Sequence, residues 1–156
     1  MRHVLCMLLL PLLLFCSCAR DGGDTDIPSA VSAVRASYAD GALVQADADF
    51  VTTNFGALDF VDVAEVWLTE NGDGTEFGFF HLTDTRRAGE LQARIRDYLA
   101  NERQAVESLA ALYPAEELQA RLDRFTHAKV GQAGAVVYYL LADADTVKQI
   151  SDALRA

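Results

Sequence analysis

The side chains able to do chemistry are few and unevenly placed along this 156-residue chain. All three cysteines, Cys6, Cys16 and Cys18, fall within the first 18 residues. The following 138 residues carry no thiol, which excludes a disulfide framework, a thiolate metal site and a cysteine nucleophile there. Only His81 and His127 lie in that body, and no two histidines stand at metal-ligand spacing. A hydrolytic triad needs a serine, a histidine and a carboxylate brought together. Ser29, Ser32, Ser37, Ser108 and Ser151 all fall in helical stretches, and no G-x-S-x-G elbow occurs. His81 alternates with Phe77 and Phe79, so a histidine satisfied at a sheet face is the plainer reading. No catalytic residue is assigned.

Oxygen ligands and acidic pairs give no firmer chemistry. In "TENGDGTEF", setting Gly74 as the sixth residue of a calcium loop puts Asp73 fifth, Asn71 third and Thr69 first. The bidentate position then falls on Phe80, which cannot ligate a cation, and a hairpin turn accounts for the same residues. Asp47 with Asp49, Asp59 with Asp62, and Asp143 with Asp145 are the acidic pairs. A glycosidase sets two carboxyls about 5–10 Å apart in a cleft, and a body this small leaves little room for one. Solvated charge explains the pairs, with Asp143 capping a helix. No metal and no cofactor is expected.

One thiol does have a chemical context. Residues 4–15 form an apolar run preceded by Arg2 and His3. Twelve residues are too few to cross a bilayer, which takes about 20, so residues 1–17 read as an export signal. The segment "LLFCSC" resembles the lipobox of bacterial lipoproteins, with Ser17 at the small position and Cys18 as the acylated cysteine. Phe15 and Cys16 depart from the residues usual there. Two acyl chains hold firmly, since each buried methylene is worth about 0.8 kcal/mol. The polar stretch "ARDGGDTDIP" makes residues 18–27 a tether, its nine residues past Cys18 reaching at most ~30 Å. Loss of Arg2 with the leader takes the formal charge from −10 to −11. A body so acidic is repelled by nucleic acid and by anionic lipid. The expected location is therefore the extracytoplasmic face of the cell membrane, held there by the lipid on Cys18.

Residues 28–156 are then one domain that must position anything functional. Ile27, Val31, Val34 and Tyr38 recur at helical spacing behind Pro28. Asp and Gly interrupt residues 39–60, which read as irregular. "VAEVWLTENGDGTEFGFFHLT" reads as a hairpin turning at Asn71–Gly74. Leu91, Ile95, Tyr98, Leu99, Val106, Leu109 and Leu112 then form one stripe of a long helix. Pro114 separates it from a second helix carrying Leu118, Leu122 and Phe125. Residues 127–142 read as another hairpin, turning near Gly131 to Gly134. A last helix, capped by Asp143, buries Val147, Ile150 and Leu154. The expected architecture is α+β, in the order α-ββ-αα-ββ-α, with a four-stranded, mainly antiparallel sheet and helices packed on one face. "FFHLTD" and "YYLLAD" form a loose internal echo, each closing a hairpin before a helix.

This succession resembles a family of small bacterial lipoproteins known as domain of unknown function 4358. The resemblance runs from residue 29 to the end. It is carried by the acylated leader, "NFGALDFVDVAEVW", the hairpin into a long helix, "LYPAEE" between helices, and "VGQAGAVVYYLLAD". It implies architecture and location only, for the family has no established activity.

What remains is aromatic surface. Helices on one side of the sheet would leave the Trp67 face open, beside either Phe77, Phe79 and His81 or Phe80, with Tyr138 or Tyr139 joining it. An open apolar face would mark a binding surface for an envelope protein or a small ligand. Equally, these aromatics are core if residues 39–60 cover them. Trp67, His81, Tyr138 and Tyr139 are thus the candidate binding residues of a non-enzymatic interaction module. A small envelope hydrolase and a purely structural surface protein are the competing readings.

Overall fold

A computed structural model describes residues 26–38 and 43–155. Cys18, the leader and the tether up to residue 25 lie outside the described residues. The first helix, α1 (Ile27–Ser37), begins where Asp26 accepts the amide of Ser29 at 2.7 Å, with Pro28 in its first turn. Ile27, Ala30 and Val34 are its buried stripe.

The stretch expected to be irregular contains two elements. Strand β1 (Leu43–Gln45) pairs antiparallel with β2 (Val61–Thr69), and α2 (Ala48–Phe55) lies between them. Asp47 caps α2 by accepting the amide of Phe50 at 2.8 Å, and Gly56 ends it at φ +75°. Only glycine holds that backbone without strain.

Strand β2 turns into β3 (Glu76–Leu82) through the expected glycine-rich turn. Asp84 caps a short 3-10 turn leading to α3 (Ala88–Leu112), followed by α4 (Glu116–His127). Strands β4 (Lys129–Ala133) and β5 (Val136–Leu141) form the second hairpin. Asp143 caps α5 (Ala144–Ala153), accepting the amide of Thr146 at 3.0 Å.

The fold is α+β, with the sheet ordered β1-β2-β3-β5-β4 and every pair antiparallel. Three expectations are corrected. Among the described residues the sheet has five strands, not four, because β1 adds an edge to β2. The element order gains β1 and α2 between α1 and β2. Helices cover both faces: α1 and α5 pack on Phe77, Phe79, Val136, Tyr138 and Leu140, while α2 and α3 pack on Val66, Phe80, Val137 and Tyr139. The physical reason lies in β3 and β5. "FGFF" and "VVYYLL" do not alternate with polar residues, and a strand apolar on both sides needs cover on both sides.

Helix α3 spans about 37 Å at ~1.5 Å per residue, more than the sheet can cover. Ala88, Leu91, Ile95, Tyr98, Leu99 and Val106 are buried along it. Leu109 and Leu112, expected to continue that stripe, are exposed where α3 runs past the sheet beside α4.

Candidate functional site

The four aromatic and histidine candidates do not share an open surface. Trp67 is 9% exposed and Tyr138 3%, both against α1 and α5, and Tyr139 is fully buried on the opposite face. The open Trp67 face is therefore corrected: the two terminal helices close it. Trp67 donates its indole N–H to Glu65 at 3.2 Å, and the Arg35 guanidinium lies 4.9 Å from its ring centroid. His81 is half-buried at the end of β3. Its Nδ1 lies 2.7 Å from Asp62 Oδ1, where the β2–β3 register slips between Val61 and Val63.

Period-two geometry instead brings a different set together. Glu76 opens β3 with the same parity as Phe80 and Leu82, so its side chain enters the layer under α2 and α3. There the Tyr139 hydroxyl donates to Glu76 Oε1. The Tyr98 hydroxyl, from α3, lies 3.1 Å from Oε1 and 2.9 Å from Oε2. Phe50, Phe55 and Phe80 enclose the pair of tyrosines, with the Phe55 ring 5.0 Å from Tyr98 and 5.2 Å from Phe80. Gly78 makes this possible. A Cβ there would stand 2.0 Å from Tyr139 Cε1, so only a bare backbone lets the ring lie across β3.

Burial raises the Glu76 carboxyl to about 7, against an ordinary 4.5, and the hydrogen bonds from Tyr139 and Tyr98 only partly offset that. Nearby Glu102 pushes the same way, and Arg121 opposes it. Burial and the Glu76 charge push both phenols upward in turn. Glu76 is therefore a carboxyl that changes charge near neutrality, held by two donors that stay protonated.

The group is not sealed. A cleft of about 290 Å³ opens over it, between Phe50 and Asn54 of α2, Leu68 and Thr69 of β2, Tyr98 and Glu102 of α3, and Arg121 of α4. Arg121 lies across Gly74, where a Cβ would meet its Nε at 2.7 Å. That Nε is buried and has no hydrogen-bond partner among the described residues. Nor does any carboxylate among them close to ion-pair distance of Arg121.

The rim of the cleft is fixed by Asp73 in the β2–β3 turn. Its Oδ1 accepts from Thr69 Oγ1 at 2.7 Å and from the Thr75 amide at 2.8 Å. Its Oδ2 accepts from Tyr38 at 3.2 Å and Arg124 Nη2 at 3.3 Å, and Arg124 Nη1 reaches the Asp73 carbonyl at 2.8 Å. Partial burial works to raise this carboxyl, but the bonds from Thr69 and Thr75 and the Arg124 charge hold it below its usual value. These donors use the oxygens that a calcium loop would need. Among the described residues no group of three or more His, Cys, Asp or Glu could hold a metal ion.

The acidic pairs are spread along the chain. Asp47 and Asp143 cap helices, Asp59 pairs with Arg87 at 2.8 Å, and Asp62 meets His81. None lines the Glu76 cleft. Sequence reasoning missed Glu76 because it follows directly on the polar turn residues. The available signal was its parity with Phe80 in an otherwise apolar strand.

No family model, curated protein or solved structure matches the chain. Among the described residues no helix is long and apolar enough to cross a membrane.

Proposed function

We propose that this chain is a membrane-anchored extracytoplasmic lipoprotein, acylated on Cys18, whose α+β domain is a non-enzymatic module binding a small polar ligand in the cleft over Glu76. The proposal places it with the lipoproteins of domain of unknown function 4358 that its leader and the segments "NFGALDFVDVAEVW", "LYPAEE" and "VGQAGAVVYYLLAD" resemble. The leader and the Ser17-Cys18 junction support the anchor.

One observation carries the binding reading: a buried carboxyl, held by Tyr98 and Tyr139, forms the floor of an open cleft whose wall includes an unpaired guanidinium. Buried polar groups in a core are normally satisfied and sealed. Here the polar group faces a space of about 290 Å³, which lies near the lower end of the ~300–1,000 Å³ usual for ligand sites. The described residues lining the cleft include no serine, cysteine or histidine, and the proposal is accordingly one of binding.

Two measurements test the two halves. Cys18→Ala is expected to abolish diacylglyceryl modification by mass spectrometry and to release the protein from membranes or leave it as precursor. Wild-type fractionation with normal processing would remove the anchor from the proposal. For the cleft, thermal shifts are read against a panel of small carboxylates, amines, polyols and amino acids. At least one should raise the melting temperature of the wild type but not of Asn54→Trp, which fills the cleft without touching Glu76. A panel to which the two proteins respond identically would refute the cleft as the site.

A further inference from the structure

Resting on the reading of this cleft as a binding site, we infer that its ligand is a zwitterion of the free amino-acid class, with a carboxylate set against Arg121, an ammonium against Glu102 and Glu76, and an apolar side chain along Phe50 and Leu68.

The charges in the cleft do not cancel one another. Arg121 and Glu102 both line it, from α4 and α3 respectively, yet they do not close on each other as an ion pair. Both act on Glu76 from a distance and in opposite senses. Arg121 is held over Gly74 and lines the cleft without an ion-pair partner among the described residues, which leaves its guanidinium to pair with a planar acceptor in that space. Carboxylate is the acceptor whose geometry fits that fork best.

A plain anion would answer Arg121 alone. It would then meet Glu102, which lines the same cleft, and a chain of formal charge −10, both repulsive. A plain cation would meet Glu102 favourably and Arg121 unfavourably. Only a molecule carrying both charges, as an ammonium and a carboxylate on one carbon do, pairs each charged residue with its complement and brings no net charge into the site. The remaining lining divides in the same way. Phe50, Leu68 and the Tyr98 ring offer an apolar wall, and Asn54, Thr69 and Thr75 offer polar atoms. A small volume lined by apolar side chains and by one residue of each charge describes an amino acid with an aliphatic side chain better than a sugar, whose hydroxyls would leave the charges unmatched.

The test uses four matched probes against the full chain in isothermal titration calorimetry: leucine, its amide, 4-methylpentanoate and N-acetyl-leucinamide. These carry both charges, the ammonium alone, the carboxylate alone, and neither. Leucine is expected to bind about tenfold or more tightly than any of the other three, the loss that follows from removing a charge-assisted hydrogen bond. Arg121→Met keeps the aliphatic stem over Gly74 and should bring leucine down to the level of its amide. Glu102→Gln should bring it down to 4-methylpentanoate. Binding of 4-methylpentanoate or the amide as tight as leucine would overturn the zwitterion while leaving the cleft as a site. Absence of heat with all four would also overturn it, and the cleft would then stand or fall on the Asn54→Trp comparison. If Arg121→Met fails to fold, the wild-type ranking of the four probes decides alone.

Discussion

The hydroxyl of Tyr98, midway along α3, donates to the carboxylate of Glu76 at the start of β3 across a distance of 2.9 Å. That bond joins a helix to the central sheet through a titratable group in the core. It makes the stability of the fold sensitive to pH in an unusual direction.

The Glu76 carboxyl is raised to about 7 from 4.5. Between those values the folded protein keeps a proton that the unfolded chain has lost, so stability falls as pH rises through this window and levels off above it. The span is worth a few kcal/mol at ~1.4 kcal/mol per unit. The capping and turn carboxylates of Asp73 and Asp143 are held below 3.8, so they weaken the fold only on stronger acidification. Glu76→Gln, neutral throughout, should flatten the slope and be the more stable protein at about pH 8. Urea unfolding of both proteins across the window checks this, and parallel pH profiles would contradict it.

Gly78→Ala should be far costlier than an ordinary glycine-to-alanine change in a strand. The new methyl would overlap the Tyr139 ring and displace it, withdrawing the hydroxyl from Glu76. Overpacking of this kind costs about 1–3 kcal/mol or more. In a Tyr139→Ala background the same substitution should cost much less, a non-additivity that a double-mutant cycle measures.

Asp73→Ala should loosen three elements at once. Its carboxylate is shared by Tyr38 at the end of α1, Arg124 on α4, and Thr69 and Thr75 beside the turn. Removal leaves a half-buried arginine and two hydroxyls short of an acceptor, for a loss of about 2 kcal/mol or more. Asp123→Ala is the comparison. It removes an exposed carboxylate 3.8 Å from His127 and should change the melting temperature little.

Trp67→Ala should lower the melting temperature sharply, by the ~3–5 kcal/mol that deleting a buried aromatic costs. Trp67 is the only tryptophan of the chain, so its fluorescence reports the docking of α1 on the sheet directly. Blue-shifted emission that reddens on unfolding is the expected signature. A stable Trp67→Ala protein would show the indole to be dispensable to the core.

Much of the local structure was legible because it depends on near neighbours. Asn71-Gly72-Asp73-Gly74 marks a hairpin turn by the backbone freedom of its glycines, at φ +68° and +87° in the structure. Asp143 before α5 caps it as its residue type suggests. Strand β1 was illegible for the opposite reason: three residues, two of them exposed, have no periodicity and exist only by pairing with β2. Helix α2 hid behind Val51, Thr52 and Thr53, β-branched residues with little helical preference. Asp47 and Gly56, at its two ends, were the usable signals.

The candidate site was less legible than the fold. Glu76, Tyr98 and Tyr139 meet from positions 22 and 63 residues apart. Each alone has an ordinary explanation: a turn-flanking acid, a member of a helix stripe, one of two adjacent strand tyrosines. By itself the amino-acid order determined which segments turn, which wind and which extend, since those preferences act over a few residues. Which sheet face each helix covers, and hence that Trp67 is core while Glu76 lies beneath a cleft, was decided by the antiparallel docking of β3 on β5 and the return of α1 beside α5. Those contacts are non-local, and their energy comes from burying surfaces that no short window of sequence contains.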